Sequence, residues 1–162
     1  MLIRAGLRPW SPTVDACNLV TLLRYDVPLV GLFDSRRRTV AFASIAGVGD
    51  EVSVWLYGEL STVEQAARLQ TSDYDGAADV TQAVIGALDG SPFTLGVSLN
   101  EEILFYVEHD AGTSLTVAFH GLGRDLASMA QHQQRRSALL TEHDSEIADL
   151  LMGELPEALV AL

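Results

Sequence analysis

The sequence predicts a single α+β domain, residues 1–162, built on an antiparallel sheet of about six to seven strands with helices packed on one face. Three observations carry that expectation. Short β-rich runs recur along the chain with turn residues between them. Three stretches repeat apolar residues at helical spacing. The 162 residues are 48% hydrophobic and 20% charged, which is globular composition. A chain of this length buries roughly two-thirds of the surface that its unfolded form exposes, so it needs no disulfide or metal to hold a core.

The first strand is expected at Leu19 to Leu23, followed by a turn over Tyr25-Asp26-Val27-Pro28, where proline suits a strand start because it lacks a ladder donor. Leu29 to Asp34 and Thr39 to Ile45 form a hairpin across Ser35-Arg36-Arg37-Arg38. Val52 to Tyr57 alternates as a fourth strand after the loop Ala46-Gly47-Val48-Gly49-Asp50. Ser61 precedes Glu64 at capping-box spacing and opens a helix to about Leu69. Val80, Val84 and Leu88 give one apolar face to a second helix that ends near Gly90. Phe93 to Leu99, Ile103 to His109 and Ser114 to His120 read as three more strands. A third helix begins with Leu122, Leu126, Met129 and Ala130, and a C-terminal helical segment, 144–162, carries Ile147, Leu150, Leu151 and Leu155.

The halves echo each other as hairpin, strand and helix over 28–70 and 93–140, with Thr39-Val40-Ala41-Phe42 matched by Thr116-Val117-Ala118-Phe119. Shared pattern constraints produce such an echo without duplication.

Tyr25-Asp26-Val27-Pro28-Leu29, Phe33-Asp34, Thr39-Val40-Ala41-Phe42, Trp55-Leu56 and the capped helix at Ser61 resemble the N-terminal half of a family of small uncharacterised bacterial proteins. The resemblance covers about Leu22 to Leu88. It implies a hairpin, a Trp-Leu strand and a capped helix, and it carries no activity. Three arginines stand where that pattern expects glycine at the hairpin tip.

All ten basic side chains are arginine, against 22 carboxylates, for a formal charge of -12. That charge repels phosphate backbones and anionic membranes at a distance and attracts basic protein surfaces. No lysine is present, which excludes a P-loop and lysine Schiff-base chemistry. No Gly-x-Ser-x-Gly occurs to support a serine hydrolase. The first ten residues lack the apolar core of a secretory signal, and the single cysteine, Cys17, suits a reducing compartment as a small buried hydrophobe. The expected localisation is cytoplasmic.

Two identical triplets, Glu108-His109-Asp110 and Glu142-His143-Asp144, with His120 and His132 between them, carry the residue types of a zinc or iron site. Adjacent strand residues point to opposite faces, so one triplet cannot chelate alone. A site needs His109 and His120, with His132 or His143, to converge through the fold. The expectation is solvated turns, no metal and no cofactor. Arg36, Arg37 and Arg38 form a basic cluster, suited either to gripping a phosphate or an acidic partner or to a solvated turn that discourages edge pairing. Trp10, Trp55 and Tyr57 form either a partner-facing patch or, for Trp55, part of the core. Ile147, Leu151 and Leu155 lead an apolar series that packs on this domain's own sheet or on a partner.

These features predict a noncatalytic interaction protein, an immunity, antitoxin-like or inhibitor component, that binds a basic protein partner or forms a homo-oligomer, with no nucleic-acid or membrane binding. The alternatives are a small metal- or ligand-dependent enzyme using the histidines and carboxylates of the second half, and a nucleic-acid-mimicking inhibitor.

Overall fold

A computed structural model describes residues 6–48 and 52–122. One six-stranded antiparallel sheet runs in chain order: β1 (Cys17–Tyr25), β2 (Val27–Ser35), β3 (Arg38–Val48), β4 (Val52–Glu59), β5 (Phe93–Leu99) and β6 (Glu102–His109). Two helices, α1 (Val63–Thr71) and α2 (Ala77–Leu88), lie between β4 and β5. A third, α3, follows β6 over residues 115–122. This is a single α+β domain with its helices on one face of an antiparallel sheet. No helix among the described residues is long and apolar enough to cross a membrane.

Both faces of the central strands are buried. On the helical face, Val30, Leu32, Ala41, Val54, Leu56 and Leu95 alternate along the strands and meet Leu69 of α1, Val80, Val84 and Leu88 of α2, and Phe119 and Leu122 of α3. Small Ala41 and Ala43 on β3 let α2 sit close over the sheet centre. The other face is a separate cluster of Phe33, Phe42, Trp55, Tyr57, Ile103 and Tyr106. A strap, residues 6–16, covers it with Trp10 and Ala16 packed against the rings. Trp55 is core, as expected, and its indole N–H donates to Ser98 Oγ at 2.9 Å, which satisfies a buried donor.

Glycine makes the aromatic face possible. Gly96 pairs with both Trp55 and Tyr106 across the ladder, and a Cβ there would meet Tyr57 at 3.1 Å. Gly31 lies opposite Phe42; its missing Cβ would stand 2.3 Å from the Val20 carbonyl and 3.0 Å from the Phe42 ring. The rings therefore lie down over bare backbone.

Several expectations need correction. The capping box forms one residue later than Ser61 and Glu64: Thr62 Oγ1 accepts from Gln65 N at 3.2 Å, and Gln65 Oε1 accepts from Thr62 N at 3.3 Å. Both spacings fit the rule. Gln65 wins because its amide also donates, through Nε2, to Ala87 O at 3.3 Å and so ties α1 to α2, which a carboxylate cannot do. The run Ser114 to His120 forms α3 instead of a strand, so the hairpin, strand and helix order of the first half becomes hairpin and helix in the second. Ser114 caps that helix: its Oγ accepts from Val117 N at 3.4 Å, and its carbonyl accepts from Ala118 N at 2.9 Å. Cys17 is exposed, because it opens the edge strand β1 and no further strand lies outside it among the described residues. The expected helix positions from Leu126 onward and the segment 144–162 lie outside the described residues.

Replacing Gly31 with Ala drives the new methyl into the β1 backbone, and we expect a loss of ~1–3 kcal/mol in urea unfolding. Gly86, inside α2 with nothing within 4 Å of where a Cβ would stand, gains about 0.5–1 kcal/mol as Gly86→Ala in the same assay. Burial, with the nearby Tyr106 adding to it, pushes the Tyr57 hydroxyl well above the usual tyrosine range. The unfolded chain therefore releases this proton at a pH where the folded protein retains it. The stability is fully present below the unfolded pKa and falls as pH rises above about 10, and Tyr57→Phe flattens that fall in denaturant midpoints.

Candidate functional site

The β2–β3 tip gathers polar chemistry at one end of the sheet. Ser35 pairs with Arg38, leaving Arg36 and Arg37 as a two-residue turn with φ of 52° and 63°. Both left-handed conformations match the twist of a tight hairpin and favour Asn or Gly, so each arginine here costs about 1–2 kcal/mol. The surrounding contacts hold the turn in place. Asp15, from the strap, accepts from Ser35 Oγ at 3.0 Å and from Arg36 N at 3.1 Å. Ser35 Oγ also lies 3.4 Å from Thr13 Oγ1. Below the turn, Asp34 accepts from Asn18 Nδ2 and Thr39 Oγ1, each at 3.1 Å. Hydrogen bonds from the Thr13 and Ser35 side chains, with the Arg36 amide adding to them, hold the Asp15 carboxyl below the usual carboxylate range.

The three arginines divide in role. Arg38 forms an ion pair with Glu59 across β3 and β4 at 2.6 Å. The guanidinium groups of Arg36 and Arg37 have no hydrogen-bond or ion-pair partner among the described residues, and both side chains are exposed. The tip presents two planar cationic forks on a braced turn, suited to a carboxylate of a partner.

The surface around it is acidic. Thirteen carboxylates lie among the described residues and none is buried; the arginines there are Arg8, Arg24, Arg36, Arg37, Arg38 and Arg68. Ion pairs engage only Glu101, with Arg8 at 3.3 Å, and Glu59. Asp73 and Asp75 stand exposed on the α1–α2 connection and Asp79 in the first turn of α2, where it accepts from Asp75 N at 3.2 Å.

The histidines are set apart in character. His109 ends β6 opposite Phe93 and stacks on its ring, with centroids 5.0 Å apart; its Nε2 is buried with no hydrogen-bond partner among the described residues. His120 is exposed on α3, edge-on to Phe119. His132 and His143 lie outside the described residues, as do Ile147, Leu151 and Leu155. Among the described residues no three His, Cys, Asp or Glu side chains are grouped to hold a metal. A crevice of about 500 Å³ opens where α2 ends and α3 begins, lined by Leu56, Ile85, Phe93 and Ser114, with Asp89 its one titratable side chain. A groove of about 320 Å³ between α1 and α2 contains Arg68. Neither brings an acid and a base together.

The bracing of the tip was not visible in sequence. Asp15 lies 21 residues before Arg36, and no local pattern marks it. No protein-family model, curated protein or solved structure matches the chain.

The Asp15 brace has an acid limit. Its pKa is depressed on folding, so the brace is intact at neutral pH and is lost as pH falls through that lowered pKa, below the ordinary carboxylate range. In NMR the Arg36 amide resonance follows this titration. Asp15→Asn removes the titration and speeds exchange of that amide, while the sheet amides keep their protection.

Proposed function

We propose that the protein is a noncatalytic interaction protein that binds a basic protein partner, as an immunity, antitoxin-like or inhibitor component does. One observation carries this reading: the carboxylates of the described surface remain largely unneutralised, with Glu59 and Glu101 paired to arginine and all the others but the half-buried Asp34 and Glu102 exposed. Internal ion pairs would have cancelled the field; left open, it accelerates encounter with a cationic surface and slows encounter with phosphate backbones. The chain's total of -12 points the same way. Arg36 and Arg37 then act as a local exception that meets an acidic group on the partner and sets the register of docking. The same reading places the protein in a reducing cytoplasm, where the exposed Cys17 stays a thiol.

Affinity capture followed by kinetics tests this. The expected partner has an isoelectric point above about 9. Its association rate falls steeply as ionic strength rises from ~0.01 M to ~1 M, where the screening length shrinks from roughly 30 Å to 3 Å. A variant carrying Glu64→Gln, Asp73→Asn and Asp75→Asn slows association with little change in dissociation. A partner of acidic or neutral charge, or an association rate indifferent to salt, rejects the reading.

A further inference from the structure

The aromatic face carries two hydroxyls that packing alone does not call for. Tyr57 and Tyr106 lie edge to face, 6.3 Å apart, inside a cluster otherwise built of Phe33, Phe42, Trp55 and Ile103. A buried phenol needs an acceptor. Each finds one on the strap: Tyr57 donates to the Pro9 carbonyl and Tyr106 to the Pro12 carbonyl, both at 2.6 Å. The sheet thus holds one chain segment by the main-chain carbonyls of two buried prolines, with Trp10 and Ala16 packed on the rings. This is the chemistry of peptide recognition, in which aromatic rings take the apolar ring and hydroxyls take the backbone.

The segment itself is built like a ligand. It has no helix or strand; two turns, closed by Ser11 N to Arg8 O at 3.0 Å and Ala16 N to Thr13 O at 3.2 Å, present its prolines to the face. Apart from the bond from Ile103 N to Leu7 O at 2.9 Å, its ends are held at the surface. At one end are the Arg8–Glu101 pair, about half exposed, and the bond from Gly6 N to Glu102 at 2.7 Å; at the other is the Asp15 brace. Exposed contacts of this kind contribute little each. The aromatic cluster is separate from the larger core on the helical face, so lifting the strap leaves that core closed.

We propose that this aromatic face is a docking surface for a proline-bearing turn segment of a partner protein, of the form Pro-aromatic-x-Pro, and that the strap is its resident competitor. The surface is apolar and distinct from the acidic one, so the proposal stands or falls separately from binding to a basic partner. A fluorescent peptide with the sequence of residues 6–16, added to the full chain, is the probe. It binds the native protein weakly, because the strap occupies the face. In a variant with Pro9→Ser and Pro12→Ser, which loosens the strap and leaves the face intact, it binds about tenfold or more tighter, as expected when the competent fraction rises. Adding Tyr57→Phe and Tyr106→Phe to that variant abolishes the gain, and salt has little effect. A folded loosened-strap variant that does not take the peptide overturns the proposal, as does equal binding of a peptide in which both prolines are alanine. If the variant fails to fold, hydrogen exchange of the native protein decides. Ser11, Ala16 and Ile103 amides that exchange through an opening distinct from that of the β3–β4 ladder support a displaceable strap; exchange only with global unfolding refutes it.

Discussion

A sheet with two apolar faces must cover both, and most of the molecule follows from that demand. The helical face is covered by α1, α2 and α3, whose buried side chains converge on the middle strands. The opposite face has no helix among the described residues. It is closed by eleven residues of irregular chain, which works because two tyrosines on the sheet satisfy carbonyls that have no ladder to join. Proline suits that segment, since it has no N–H to leave unpaired. The glycines at 31 and 96 serve the same end, thinning the sheet surface so that large rings and a covering strap fit in one layer.

The strap also links features that are distant in the chain. Leu7 O accepts from Ile103 N at the β6 edge, the Pro9 and Pro12 carbonyls accept from the two tyrosine hydroxyls, and Asp15 reaches the β2–β3 tip. The left-handed pair Arg36 and Arg37 is therefore held by contacts from outside its own hairpin. The β5–β6 turn uses the same device with Asn100 and Glu101, both at positive φ, and there too a strap residue, Arg8, pairs with the turn. Arg36, Arg37 and Glu101 have a poor preference for this conformation, and both turns are braced by the same covering segment.

Charge is arranged to leave the fold alone and act on the surroundings. The described carboxylates stay out of both apolar clusters, so the core carries no desolvated ion. Their mutual repulsion is the cost of a surface that carries so much unpaired negative charge. The cationic tip is the exception within it, and its position at the end of a braced turn keeps it clear of the sheet.

The sequence by itself determined the local elements whose signals are strong and short-range. β-rich runs bounded by turn residues marked the six strands, the Val80-Val84-Leu88 stripe marked α2, and the charge marked the surface, because periodicity and composition act within a few residues. Tertiary structure decided the rest. Thr-Val-Ala-Phe is a strand at 39–42, where β2 and β4 flank it on both sides, and a helix at 116–119, where Ser114 caps it after the last strand. The cap moved from Ser61 to Thr62 because Gln65 has a partner on α2. Cys17 is exposed because its strand is an edge, and Asp15 matters because the strap ends beside the tip. Each outcome depends on a neighbour far away in sequence, whose contribution outweighs the small free-energy differences that local propensity supplies.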